Sequence, residues 1–303
     1  MHRQTTGKIV MIKPIGFYSN KETAVNNFYQ HTETEDRATI QRKAKEEFEN
    51  LAEKLLKAGI EVNIIEDTAE PSTPDSIFPN NWFSSHEKGK FFFYPMYAKN
   101  RRAELVKFKE KLLKIAENSN ISITDYSSKA EKGIFLEGTG SIIFDRKNMK
   151  AYCSLSPRAD KNLFLEFCRE IGYHPVIFSS YQDGHLIYHT NVMMGLGENK
   201  AVICLECIKD EKERKNVINE LTESKKDIVE ISLEQVKKFL GNVIELKGKN
   251  GKQYTVMSET AYKSLTSEQE KKISKDTEII YSDVKTIEYY GGGSVRCMIG
   301  EIF

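Results

Sequence analysis

Helical patterns recur along this chain at nearly constant spacing, and that spacing limits the fold more than any other feature. Apolar residues three or four positions apart predict helices over 36–58, 100–116, 160–171 and 210–221, with a weaker one over 267–273. The first is the clearest, with Ile40, Phe48, Leu51, Leu55 and Leu56 on one stripe before Gly59 ends it. The starts near 36, 100, 160, 210 and 267 are separated by 64, 60, 50 and 57 residues, which reads as an array of similar units. Short β-branched or aromatic runs fill the intervals and predict strands, among them 61–66, 89–94, 121–124, 141–144, 175–178, 201–205, 228–231, 243–246, 278–281 and 296–302. Five units of about 60 residues account for all 303, and no Pro-rich or Gly/Ser-rich linker separates them. One closed domain over 1–303 fits better than two tethered ones, although a helical pattern over 232–238 has no place in the repeat.

Composition then removes several classes of function. Lys and Arg total 45 against 44 Asp and Glu, a net charge of +1, and no basic stripe with interleaved aromatics is present, so nucleic acid is not the expected partner. The apolar runs, such as Phe91-Phe92-Phe93-Tyr94, are far shorter than the roughly 20 residues a membrane span needs, and no secretory leader is evident at the start. Five irregularly spaced cysteines do not form a disulfide framework. The expectation is a cytoplasmic protein with neither a membrane nor a nucleic-acid partner; homo-oligomerisation is left open.

Between helices lie stretches whose polar residues are oddly placed for β-rich surroundings: 74–82, 135–141, 185–191, Leu240-Gly241-Asn242 and 291–298. If the repeats close into a ring, equivalent stretches meet near its axis. Glu137, His189 and Cys297 would then share a site and supply a carboxylate, a proton carrier and a thiol nucleophile. Charges on Arg296 and His189 would favour the thiolate. Other motifs carry less. Cys204 and Cys207 have metal-type spacing but lack a second pair and sit in a β-alternating run. His185 and His189 lack the HExxH context of a metal-binding helix. Gly291 to Gly293 are not followed by the Lys-Ser or Lys-Thr of a phosphate loop, so close backbone approach beside Cys297 explains them better.

Several segments together carry a resemblance: Pro74-Asp-Ser-Ile-Phe-Pro-Asn-Asn-Trp82, Tyr97-Ala-Lys-Asn-Arg-Arg102, Leu136-Glu-Gly-Thr-Gly-Ser141, Leu155-Ser-Pro-Arg158, His189-Thr-Asn-Val-Met-Met194 and Gly291-Gly-Gly-Ser-Val-Arg-Cys-Met298. The chain resembles the arginine deiminase and amidinotransferase superfamily, the penteins, and within it the citrulline-utilisation hydrolases. The resemblance implies an α/β pentein fold, a pseudo-fivefold propeller of ββαβ units. It implies that Cys297 attacks the central carbon of a guanidino or ureido group. His189 would protonate the departing nitrogen and then activate water, while Glu137 would hold His189 and touch substrate nitrogens. It implies that Arg158 grips an α-carboxylate, with Arg101 or Arg102 as a second grip. Where arginine-processing members clamp the guanidinium with Asp, this chain has Asn81 and Asn191, and Asp75 is offset from the clamp. Amides match a neutral ureido group better than a cation, which favours the small amino acid L-citrulline as substrate. Asn at a clamp position also occurs in succinylarginine dihydrolase of the same superfamily. Arginine deiminase or amidinotransferase chemistry, and a non-catalytic binding role on this fold, are the alternatives. No metal or organic cofactor is implied.

Overall fold

The computed structural model describes residues 2–116 and 121–303; Met1 and 117–120 lie outside the described residues. Its sheets repeat one plan: an antiparallel pair, a helix, then a third strand parallel to the second. The first unit is Phe83–His86, Lys90–Phe93, helix Lys99–Ala116 and Ser122–Asp125. The second is Ile142–Asp145, Lys150–Ser154, helix Lys161–Ile171 and His174–Phe178. The third is Met194–Leu196, Lys200–Ile203, helix Glu211–Glu223 and Asp227–Glu230. The fourth is Ile244–Lys247, Gln253–Ser258, helix Ser267–Ser274 and Glu278–Ser282.

The fifth unit is shared between the two ends of the sequence. Gly300–Ile302 pairs antiparallel with Lys8–Lys13, which runs parallel to Glu61–Glu66 across helix Arg37–Lys57. The C-terminal strand therefore completes the N-terminal sheet and closes the ring, giving the five-unit pentein propeller that the sequence resemblance implies.

Local chemistry sets the helix starts. Asp36, Asp160 and Asp210 each accept a backbone N–H of the first turn, and Thr266 with Gln269 forms a capping box. Helix Lys161–Ile171 buries Leu163, Phe164, Phe167 and Cys168, and each large side chain contributes about 1.5–3 kcal/mol. Helices also lean on the preceding unit: Glu211–Glu223 on strand His174–Phe178, and Arg37–Lys57 on strand Glu278–Ser282. No unit can bury its apolar face alone, and closure of the ring leaves none exposed at an end.

The prediction misses some elements. The run expected as strand 296–302 is strand only from Gly300, because 294–299 forms tight turns. Helix Lys285–Gly291 precedes the three glycines, and its last residue is the first of them. Cys204–Cys207 is not β-alternating strand: the strand stops at Ile203 and Leu205–Cys207 is a 3-10 turn. The unplaced pattern at 232–238 is a short helix, Leu233–Lys237, in the connector between the third and fourth units. Among the described residues, no helix is long and apolar enough to cross a membrane.

The repeat positions the site. Five connectors lead from the third strand of one unit to the first strand of the next, over 67–82, 126–141, 179–193, 231–243 and 283–299. Asn81, Glu137, His189, Asn242 and Cys297 each lie within five residues of the strand that follows.

Candidate active site

Glu137 and His189 occupy equivalent places, each immediately before a short helical turn, Gly138–Ser141 and Thr190–Val192 respectively. Their side chains meet at 2.7 Å between Glu137 Oε2 and His189 Nε2. A carboxylate only accepts, so Nε2 carries the proton and Nδ1 keeps its lone pair. Glu137 also accepts from the Tyr97 N–H at 2.9 Å and from Arg158 Nη1 at 3.4 Å. Burial raises its pKa, but Arg158 and the His189 hydrogen bond outweigh that and hold the carboxyl well below its usual range. Burial, helped by Arg158 and Arg101, pushes His189 below its ordinary value and keeps the imidazole neutral, with Glu137 opposing. Oε1 accepts from the Tyr97 N–H and Oε2 from His189 and Arg158, so the carboxylate ties the imidazole to the surrounding connectors.

Cys297 is buried and free, and it lines one small cavity with His189, Asn81, Asp75, Arg101 and Arg158. Asn191 Nδ2 donates to its sulfur at 3.3 Å. No hydrogen bond links His189 to Cys297 among the described residues; both line the same cavity. The expectation that Arg296 favours the thiolate fails. Its guanidinium donates to the Ile299 carbonyl at 2.9 Å and to Glu301 at 2.7 Å, so its charge is paired there.

Asn81, Arg101 and Asp75 have roles that the sequence leaves undecided. Arg101 is buried and its donors are committed: to both oxygens of Glu104 at 2.8 and 2.9 Å, to the Phe78 carbonyl at 2.9 Å and to Asn81 Oδ1 at 2.7 Å. Because Asn81 Oδ1 is taken, Nδ2 is the amide atom left without a partner in the buried site. Arg101 is thus a positioning residue for Asn81. Arg102 instead donates to the Met96 and Tyr97 carbonyls and is absent from the cavity wall. Asp75, expected to be offset, lines the same cavity: Oδ2 accepts from Asn20 at 2.7 Å and Thr23 at 3.2 Å, while Oδ1 is buried without a partner. Burial raises its pKa against the pull of Arg101 and Arg158.

Arg158 is in place, with its fork already occupied. Nε donates to Asn26 Oδ1 at 2.8 Å and Nη2 to the Thr23 carbonyl at 2.9 Å. Asp75 and Arg158 thus converge on Thr23, and the segment holding Asn20, Thr23 and Asn26 closes over them. The space left between these side chains is about 10 Å³, barely room for one water. A larger cavity of about 600 Å³, lined by Phe28, His185, Phe239 and Tyr289, contains none of the catalytic candidates. Among the described residues, no cluster of three or more His, Cys, Asp or Glu side chains is arranged to hold a metal.

The model of the family described as N,N dimethylarginine dimethylhydrolase, eukaryotic, matches residues 13–303. The chain belongs to that family. The family is one of pentein-fold hydrolases of guanidino groups. Solved structures show the same fold at low identity. ArgZ, described as an arginine dihydrolase from the ornithine-ammonia cycle in cyanobacteria, superposes with a TM-score of 0.75 at 14% identity over 98% of this chain. The chain spans 41% of ArgZ's length. The N-terminal domain of ArgZ, covalently bound to a reaction intermediate, gives 0.76 at 15% identity, covering 98% of this chain and 97% of that one. A dimethylarginine dimethylaminohydrolase adduct with S-methyl-L-thiocitrulline gives 0.66 at 13%, with 99% of each chain covered. No curated protein sequence matches.

Asn81, Glu137, His189, Asn242 and Cys297 come one from each of the five connectors. Asn242 was missed as a candidate. Its only sequence signal was its membership of one of the five connector stretches.

Proposed function

We propose that residues 1–303 act as one catalytic domain that hydrolyses a ureido amino acid, L-citrulline, to ornithine, carbon dioxide and ammonia. One observation carries the choice of substrate: Arg101 fixes the Asn81 amide so that Nδ2 is the free group in the buried site. When a thiolate attacks a ureido carbonyl, negative charge builds on the oxygen, and an N–H aimed there stabilises the transition state. The Asp of arginine-processing members would repel that oxygen. Asn191 Oδ1, buried without a partner, suits an N–H of the ureido group.

The steps balance without an added reactant other than water. The Cys297 thiol loses its proton as sulfur bonds to the carbonyl carbon, and a proton is delivered through His189 Nδ1 to the departing nitrogen. Water then loses a proton to His189, its oxygen attacks the same carbon, and the C–S bond breaks with the electron pair and a proton returning to sulfur. The carbamate released falls to carbon dioxide and an amine. Arg158 would take the α-carboxylate and Asp75 Oδ1 the α-ammonium, once the segment bearing Thr23 and Asn26 moves off them.

A second reading is hydrolysis of arginine itself, carried past the ureido stage to ornithine; the ArgZ neighbour is described as an arginine dihydrolase. Asn191 Oδ1, an acceptor without a partner, would serve a guanidinium N–H as well as a ureido one. Ornithine and ammonia should be measured with L-citrulline, L-arginine, N-methylated arginines and agmatine, beside Cys297→Ser. Ornithine from citrulline and none from arginine supports the first reading, and ornithine from both supports the second. Citrulline as the end product from arginine overturns both.

A further inference from the structure

Cys297 has two amide neighbours, Asn191 and Asn242. Asn242 Nδ2 donates to Cys297 Sγ at 3.3 Å, the same distance as Asn191 Nδ2. The two are held differently. Asn191 Oδ1 is unpartnered, so its amide can re-aim toward a substrate. Asn242 cannot turn: its Oδ1 accepts from the Arg296 N–H at 3.1 Å and its Nδ2 also donates to the Asn191 carbonyl at 3.0 Å. Backbone groups of two other units therefore fix which atom faces the sulfur, and one belongs to the residue preceding the nucleophile.

Gly241 explains how the connector reaches that place. A Cβ there would lie 2.4 Å from the Val192 carbonyl oxygen, so only glycine lets this backbone pack against the neighbouring connector. Asn242 Oδ1 is also 3.7 Å from Sγ, so the same amide meets the sulfur as an acceptor for a thiol and as a donor to a thiolate.

The charged and titratable groups around Cys297 leave this part to a neutral donor. Asp75, Arg101, Arg158, Tyr188 and His189 share its cavity, and Glu137 lies behind His189. Arg101 is committed to Glu104 and Asn81, Arg158 to Glu137, Thr23 and Asn26, and Arg296 to Glu301. Among the described residues, the hydrogen-bond partners of Sγ are the amides of Asn191 and Asn242.

We propose that Asn242 is a catalytic residue, an immobile amide that stabilises the Cys297 thiolate both before it attacks and when it leaves as the C–S bond is hydrolysed. This deepens the proposed function, since it rests on Cys297 as nucleophile. Because Asn191 is free to turn to the substrate, Asn242 is the donor that stays on sulfur throughout the cycle.

The test follows the pH dependence of iodoacetamide alkylation at Cys297, read by peptide mass, in wild type, Asn242→Ala and Asn242→Asp. Asn242→Asp keeps an oxygen for the Arg296 N–H, which guards against loss of fold in the alanine variant. The profile should move upward by about one pH unit for Asn242→Ala, roughly tenfold slower alkylation at a fixed pH on the rising limb. Asn242→Asp, which puts negative charge beside sulfur, should move it further. With citrulline, kcat should fall about tenfold or more while KM changes little. Profiles that superimpose on wild type in folded variants overturn the proposal, even where wild type turns over citrulline. Profiles that separate when wild type hydrolyses neither ureido nor guanidino amino acids uphold it and count against the substrate reading alone.

Discussion

Arg101 Nη1 donates to Asn81 Oδ1 at 2.7 Å, and this contact between residues 20 positions apart decides what the site presents to a substrate. It makes Asn81 a donor. Asn81→Asp replaces that N–H with a carboxylate oxygen beside the expected oxyanion. Citrulline kcat/KM should fall about 10- to 100-fold, the usual effect of losing one buried charge-assisted hydrogen bond. Arg101→Gln releases the amide and should lower kcat by a similar factor. Steady-state kinetics check both, and an unchanged kcat in Asn81→Asp would remove Asn81 from the oxyanion role.

Gly140 touches both halves of the chemistry. A Cβ there would come within 2.4 Å of Asn81 Nδ2 and 2.7 Å of His189 Nδ1. Its backbone suits alanine, so Gly140→Ala should fold while pushing the amide and the imidazole aside. Overpacking of this kind costs about 1–3 kcal/mol in denaturant unfolding. A displacement near 1 Å at the reacting groups should lower kcat about 100-fold. Wild-type kinetics in the variant would show that neither group needs its present place.

His189 is asked to act twice, and its loss should separate the two steps. In His189→Ala the departing nitrogen loses its proton donor, so adduct formation slows, and water activation is lost as well, so the covalent Cys297 adduct that forms with citrulline should persist. Intact mass spectrometry reads the order of departure: an added carbamoyl group means ornithine left first, and citrulline less ammonia means ammonia did. Cys297→Ser should show neither adduct nor turnover.

Glu137 links the site to acid stability. Its folded pKa is depressed by Arg158 and His189 against burial, so its stabilising contribution is complete above the unfolded value of about 4.5 and is lost as pH falls through the folded value. Urea unfolding should therefore show Glu137→Gln less stable than wild type by about 3 kcal/mol at pH 7, the order expected for breaking a buried ion pair. The gap should narrow steadily below pH 4.5. An equal gap at pH 7 and pH 3 would mean that the carboxylate's charge contributes nothing to folding.

Helix periodicity and the helix-to-helix spacing were legible in the sequence because each helical stripe depends on residues a few positions apart. Thus 36–58 reads as a helix and proves to be Arg37–Lys57. Glu137, His189, Asn81, Asn191 and Cys297 were legible as a motif set because the resemblance fixes their order along the chain. Weaker local signals misled: Arg296 looked like the start of a strand and a charge beside the thiol, yet it sits in a turn and pairs with Glu301.

What only the tertiary structure decided is which way each polar group faces. Asn242 reaches Cys297 across 55 positions and Asn191 reaches it across 106, and neither contact has a local signature. Arg158 lies under Asn26, 132 positions away, which the Ser-Pro-Arg segment could not announce. The sequence by itself determined the repeat and the kinds of side chain each connector carries, since propensity and patterning act over one turn or one strand. A buried amide's orientation is set by the groups that satisfy its oxygen and nitrogen, and here those come from other units, so only closing the ring assigns them.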